Sequence, residues 1–326
     1  VGSEMCIRDR IYTTHAGPEL GNAFADVISG KYSPAGRLAQ TWYKSEYELA
    51  PIECYDIIEN DMTYLYYRGK PLYPFGYGLS YAKFEYSDFD VKENGDVISV
   101  SLDVTNVSET DSDEVVQIYF RMENPSVKRP LRQLVAFARE RIEGGSKRHF
   151  KFDIKKSELR FYDVSRECFA VEQGRYTFMA GASSEDIRLT KTIDVSGEII
   201  PPRELCKGVK AKNYDGKCGA KMKYSKKLEQ HYMLGGGLIY NNCVLGEADS
   251  IEIVCGSRVN TGKITVRYGG ETLCEAEVKP TVDVTEFETV TAQFDKAVLA
   301  GIDREKPAVF ELWVPEQIYI LGFRTY

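Results

Sequence analysis

The sequence predicts a mainly β protein: two β-sandwich domains, preceded by a segment of one helix and one strand. Three observations lead there. Apolar and polar residues alternate with period two in short runs after residue 82. The clearest is Ile98-Ser99-Val100-Ser101-Leu102-Asp103-Val104-Thr105, the pattern of a half-buried strand. Turn signals at Asn106, Gly144-Gly145 and Gly174 punctuate these runs, a rhythm typical of sandwiches. Finally, Ile199-Ile200-Pro201-Pro202 reads as a linker between two such sets of strands.

The 326 residues are enough for two or three domains. An apolar fraction of 43% can supply real cores. The net charge of -7 argues against nucleic acid or an anionic membrane as the main partner. No apolar run approaches the roughly 18 residues of a membrane span. The 22 Tyr and 15 Phe against 2 Trp suit either sugar contact or plain strand packing, because aromatics favour strands. The eight cysteines form no C-x-x-C pair and no regular framework, so neither zinc nor a disulfide scaffold is signalled. Cys255 and Cys274 sit inside apolar strand patterns as small hydrophobes. Such usage points to a reducing compartment, the cytoplasm, and leaves export open. No cofactor or metal is expected.

Residues 1–10, VGSEMCIRDR, read as a translated transposase sequencing adapter. They are set aside from fold reasoning, Cys6 included. The expected origin is a metagenomic read truncated at its 5′ end.

In residues 11–81, Leu20, Ala23, Phe24, Val27 and Ile28 mark one face of an amphipathic helix. Pro18 suits its first turn and Gly30 the position past its end. A turn and an extended segment through Thr41-Trp42 follow. One helix, one strand and a long loop cannot bury a core alone. The segment is therefore expected to be unstable in isolation, with the Leu20, Phe24 and Ile28 face uncovered.

Two strings carry a resemblance. Gly17-Pro18-Glu19-Leu20-Gly21-Asn22-Ala23-Phe24-Ala25-Asp26-Val27-Ile28-Ser29-Gly30 leads to Pro34-Ala35-Gly36-Arg37-Leu38. Thr63-Tyr64-Leu65-Tyr66-Tyr67 leads to Tyr73-Pro74-Phe75-Gly76-Tyr77-Gly78-Leu79-Ser80-Tyr81. Together they resemble the end of the second domain of glycoside hydrolase family 3, of the bacterial β-glucosidase or β-xylosidase type. The resemblance makes residues 11–81 the C-terminal remnant of an α/β sandwich domain. Leu20, Ala39 and Leu65 depart from the family's usual Gly, Pro and Arg. The Leu65 change is expected to weaken a polar contact near the domain junction.

Residues 82–198 add strands at Val115–Phe120, His149–Ile154 and Tyr176–Ala180. With Val104-Thr105-Asn106, Arg129-Pro130-Leu131-Arg132-Gln133-Leu134 and Gly181-Ala182-Ser183-Ser184, the stretch resembles the fibronectin type III-like domain of family 3 enzymes. The resemblance implies a brace for the catalytic domains.

Residues 199–326 alternate again at Ile251/Ile253, Ile264/Val266/Tyr268, Val290/Ala292/Phe294 and Phe310/Leu312/Val314. Gly235-Gly236-Gly237 and Gly269-Gly270 read as turns, and no helical period is evident. A second sandwich, of jelly-roll type, is expected. It is similar in outline to family 6 carbohydrate-binding modules. Sugar binding needs an aromatic face for stacking and polar groups for hydroxyls. Trp313, on the strand face of Glu311 and opposite Phe310, Leu312 and Val314, is the candidate platform. Tyr232, Tyr240, Phe287 and Tyr319 are candidate loop or strand-end aromatics. Against this, Tyr319 stands where that family has an Asn, Leu321 where Asp is frequent, and Lys210 and Lys212 where a calcium-binding Glu is common. Structural packing against the enzyme is the competing reading of this module.

A retaining glycosidase needs two carboxyl groups roughly 5–5.5 Å apart. The resemblance places the nucleophile in an N-terminal barrel, in an S-D-W-like motif, and the acid/base Glu upstream of this chain's first residue. No S-D-W occurs here; Ser87-Asp88-Phe89 reads as a turn and Arg148-His149-Phe150 as part of a strand. His15 and His231 have no partner pattern for a metal or a triad. Glu53, Asp56, Glu59 and Asp61 form an acidic loop, either the edge of a substrate site or a solvated turn. No catalytic residue is assigned to the chain. The expected substrate of the intact enzyme is an oligosaccharide or β-glycoside. The expected partners are its own barrel and the rest of the α/β domain.

Overall fold

The computed structural model describes residues 10–13, 17–52, 54–257, 259, 261–281 and 286–326. The adapter-like residues 1–9, with Cys6, and also His15 and Glu53 lie outside the described residues.

The amphipathic segment forms α1 (Leu20–Ile28), and Gly30 takes a left-handed φ of 74° just beyond it. Nothing in α1 is buried. Leu20, Phe24 and Ile28 are 36%, 41% and 60% exposed, so the apolar stripe faces outward. Beyond it, Leu38 N–H donates to Tyr77 C=O at 2.9 Å and Gly76 N–H to Leu38 C=O at 2.7 Å. Trp42 and Tyr73 form a bridge. A single turn, α2 (Thr63–Tyr66), places Tyr64 flat against Phe75, with ring centroids 4.1 Å apart.

The first sandwich packs two sheets. One sheet contains β1 (Phe84–Asn94), β2 (Val97–Asn106) and β5 (Lys147–Lys155). The other has the order β4-β3-β8-β9, from β3 (Ser112–Met122), β4 (Gln133–Ile142), β8 (Gly174–Gly181) and β9 (Ile187–Val195). A small hairpin, β6 (Phe161–Asp163) with β7 (Cys168–Ala170), stands apart. β2 buries every second residue, and Ile98, Val100, Leu102 and Val104 are fully enclosed. They meet Ile118, Phe120, Tyr176 and Phe178 from the opposite sheet. Ser87-Asp88-Phe89 is not a turn. It is a bulge inside β1, where the register slips between Ser87 and Asp90 and Asp88 has φ 53°.

The second sandwich joins ten strands in one hydrogen-bonded network. They are β10 (Arg203–Glu204), β11 (Val209–Lys210), β12 (Gly216–Cys218), β13 (Lys221–Ser225), β14 (Gln230–Val244), β15 (Ser250–Ser257), β16 (Gly262–Tyr268), β17 (Glu271–Val278), β18 (Glu288–Gln293) and β19 (Ala308–Thr325). β14 and β19 are its long central pair. Its core contains Leu238, Tyr240, Ile253, Val266, Phe310, Leu312 and Phe323. Two expectations need correction. Gly235-Gly236-Gly237 is not a turn but a bulge within β14, where Gly235 and Gly236 take φ of 58° and 73° and the strand continues. A short helix, α3 (Lys296–Gly301), is also present, capped by Asp295.

The first segment is fastened to the first sandwich through buried polar contacts. Arg37 pairs with Glu114 at 2.9 Å, and both side chains are almost wholly enclosed. Gln117 Nε2 donates to Gly76 C=O at 3.1 Å and to Ala182 C=O at 2.6 Å. Gly76 has φ 79°, and a Cβ there would lie 2.0 Å from the Gln117 side-chain oxygen. Leu131 N–H donates to Leu65 C=O at 2.7 Å. This junction contact uses the Leu65 backbone, so the side-chain departure at that position leaves it intact.

Candidate functional site

Trp313 sits mid-strand in β19, between Gly237 of β14 and Thr265 of β16. Its neighbours Leu312 and Val314 point inward, so alternation turns Trp313 outward. The missing side chain at Gly237 makes room for the indole. A Cβ at that position would lie 3.0 Å from the six-membered ring. Trp313 remains 37% exposed. Its Nε1–H donates to Glu311 at 3.2 Å, and the Arg267 guanidinium lies 3.9 Å from the same carboxylate. An apolar ring is thus flanked by Thr265, Glu311 and Arg267. These are the two ingredients of a sugar platform. The sequence singles out Trp313, with Glu311 on its strand face, but not Thr265 or Arg267. The signal for these two was the spacing Thr265-x-Arg267 on a strand that runs beside Glu311-x-Trp313.

Tyr232, Phe287 and Tyr319 come together as the sequence reading allows, but as an edge-to-face cluster. Centroids are 6.1 Å apart for Tyr232–Phe287, 5.9 Å for Tyr232–Tyr319 and 5.1 Å for Phe287–Tyr319. Tyr232 and Phe287 are half-buried. Tyr319 is 1% exposed and belongs to the interior. Its ring lies over Gly256, and its hydroxyl meets Thr281 Oγ1 at 2.7 Å. Tyr240 is also a core residue rather than a strand-end aromatic. Because β14 runs on through the glycines, Tyr240 takes the inward parity of Leu238 and packs on Phe323. Its hydroxyl donates to Ala211 C=O at 3.0 Å, and burial pushes its pKa up. Neither ring offers a face to a ligand.

The acidic loop is partnered rather than freely solvated. Lys217 of the second sandwich pairs with Glu59 and lies 3.9 Å from Asp56. Lys128 of the first sandwich pairs with Asp61 at 2.6 Å. Lys210 reaches Glu167 at 2.8 Å, a further tie between the sandwiches. Lys210 therefore serves an ion pair at the position where carbohydrate-binding modules of family 6 commonly have a calcium-binding Glu. Among the described residues no group of three or more His, Cys, Asp or Glu is placed to hold a metal, and all seven described cysteines are free thiols. The His231 ring packs on that of Tyr224, with centroids 5.0 Å apart. His149 Nδ1 lies 2.7 Å from Asp103 on the exposed face of β5, a strand-surface pair.

Residues 10–81 match the glycosyl hydrolase family 3 C-terminal domain, and residues 114–184 match the fibronectin type III-like domain. The thermostable β-glucosidase B of Acetivibrio thermocellus is 35% identical over 200 residues, 56% of this chain and 26% of that protein. The xylan 1,4-β-xylosidase of Xylanibacter ruminicola is 34% identical over 54% of this chain and 20% of its own length. The crystal structure of β-D-glucoside glucohydrolase from Trichoderma reesei superposes with a TM-score of 0.52 at 29% identity. It covers 55% of this chain and 29% of that one. The β-glucosidase of Kluyveromyces marxianus in complex with glucose gives 0.51 at 32% identity, over 54% and 23%. The chain thus spans about a quarter of the length of the curated relatives it matches.

Proposed function

We propose that this chain is the C-terminal part of a retaining β-glycosidase that acts on β-glucosides or β-xylosides in carbohydrate catabolism. Its three units, residues 11–81, 82–198 and 199–326, supply scaffold, and the reacting carboxylates belong to an N-terminal barrel and α/β domain. The observation that carries this reading is the joint between the two matched segments. Arg37, inside Pro34-Ala35-Gly36-Arg37-Leu38, is buried against Glu114, the first residue of the fibronectin-like match. Family motif and tertiary contact coincide there. The outward Leu20, Phe24 and Ile28 face supports it as the surface on which the rest of the α/β domain packs. The purified chain should not hydrolyse nitrophenyl β-glucosides or β-xylosides. Turnover that survives repurification and disappears on replacing one carboxylate of this chain would remove the scaffold assignment.

The exposed indole over Gly237 supports a second reading, in which the last sandwich binds carbohydrate. Migration in gels containing xylan or β-glucan should be retarded, and Trp313→Ala should release it. Equal retardation of both proteins would exclude Trp313 as the platform.

A further inference from the structure

We infer that the β13–β14 hairpin is a docking site for acidic sugars, with uronate carboxylates held by Lys221 and Lys223 beside the Tyr232/Phe287 rings. The inference deepens the carbohydrate-binding reading of this sandwich, but it does not use Trp313. It starts from a charge asymmetry. The protein carries a net -7, yet residues 205–231 hold eight lysines against Asp215 and Glu229. Asp215 is buried and paired with Arg203 at 3.1 Å, so it does not offset the surface charge.

The register puts the amines beside the rings. Lys223 is directly opposite Tyr232, and Lys221 directly opposite Leu234. Opposed residues on one face of an antiparallel pair have Cβ atoms about 4.5–5.5 Å apart. Met222 and Tyr224 occupy the other face, opposite Met233 and His231. Phe287 packs edgewise on Tyr232, and both rings keep part of their surface open. Among the described residues Lys221 and Lys223 form no ion pair, unlike Lys210 and Lys217 lower on the same module. The acids nearest in sequence are Glu229 in the hairpin turn and Glu286 and Glu288 on either side of Phe287.

Two unpaired ammonium groups alongside a half-open aromatic edge match a pyranose that bears a carboxylate. The ring's C–H face packs on Tyr232 and Phe287, and the carboxylate takes charge-assisted hydrogen bonds from the lysines. The apolar area of the hairpin, Met222 and Tyr224, is too small for stable insertion into a bilayer.

Affinity electrophoresis of the full chain tests this, in gels containing polygalacturonate, glucuronoxylan, or glucuronoxylan after carboxyl reduction. Retardation should fall at least fivefold on carboxyl reduction, and similarly in the K221S/K223S double variant and in Tyr232→Ala. Both lysines are exposed, and an unchanged melting curve checks that the variant folds. Equal retardation on the carboxyl-reduced polymer, or by K221S/K223S, overturns the site. Binding of single-stranded DNA or phosphatidylglycerol vesicles as strong as binding of polygalacturonate overturns the sugar assignment in favour of bare charge. Trp313→Ala on neutral β-glucan reports only on the platform, so failure of that reading and failure of this one appear in different gels.

Discussion

The two joints of the molecule are built on opposite principles. Where the first segment meets the first sandwich, the central contacts are enclosed: Arg37 with Glu114, Gln117 with Gly76, and Ser184 N–H on Phe75 C=O at 2.9 Å, with the solvated Lys128–Asp61 pair only at the edge. Where the second sandwich meets its neighbours, the ties are lysines on carboxylates that remain partly open to water, Lys217 with Glu59 and Lys210 with Glu167. A buried ion pair is specific and costly to break, because one charge left behind stays desolvated. A solvated pair contributes little and is screened by salt. The first joint therefore fixes an orientation, whereas the second holds a module near its place. Both matched segments flank the first joint.

The sharpest break of this contrast is Glu114→Ala. It strands Arg37 in the interior and should cost about 3–5 kcal/mol in urea unfolding. Amide exchange should rise at Leu38 and Gly76, whose hydrogen bonds lie beside it. A loss comparable to that of a surface pair would mean the joint is wetter than described. Gly76→Ala comes next. The new Cβ meets Gln117, and the left-handed backbone alone costs about 1–2 kcal/mol. Differential scanning calorimetry would show this as a lowered transition of the first sandwich. For the second joint, Lys217→Ala should change stability by only about 0–1 kcal/mol. Its effect should show in solution scattering, where the variant adopts at low salt the dimensions that the parent reaches only at high salt. Identical profiles at every ionic strength would show that Lys217 does not hold the module.

The smallest effect concerns pH. The Asp90 carboxyl is held down to about 2, first by hydrogen bonds from Lys191 and Lys92. A carboxylate with a depressed native pKa adds stability above its unfolded value near 4, and that contribution disappears as pH falls through about 2. Asp90→Asn should therefore lower the melting temperature slightly at pH 6, less at pH 2, and leave it unchanged near pH 1, below both pKa values. A full-sized difference that persists near pH 1 would require another origin.

Much of this architecture was written in local pattern. The alternation from Ile98 to Thr105 specifies both a strand and its buried face, because period two admits one solution. The α1 stripe specified a helix equally well, but not what covers it. Most of the differences between pattern and structure fall at glycine and aromatic residues, whose meanings depend on partners distant in sequence. Gly235-Gly236-Gly237 serves as a turn or as a left-handed bulge, and only pairing with β19 decides which. Tyr319 is interior because Gly256 of β15 and Thr281, just beyond β17, meet it from distant parts of the chain. Trp313 stays open because the residue across from it is Gly237. α3, at six residues, is too short to display a period. The lysine-rich hairpin is visible in composition, but its alignment with Tyr232 requires the register.

The two tryptophans fall at opposite ends of this arrangement. Trp42 bridges Tyr73 in the first segment, and its indole meets Tyr73 and Tyr12 edgewise. Trp313 lies across a glycine on the last sandwich. The protein thus carries its own pair of optical reporters. Removing either indole leaves a single emitter, Trp42 for the stiffly joined end and Trp313 for the tethered one. Denaturation followed through each would then time the two ends separately, and quenching of Trp313 alone would register a ligand on its face.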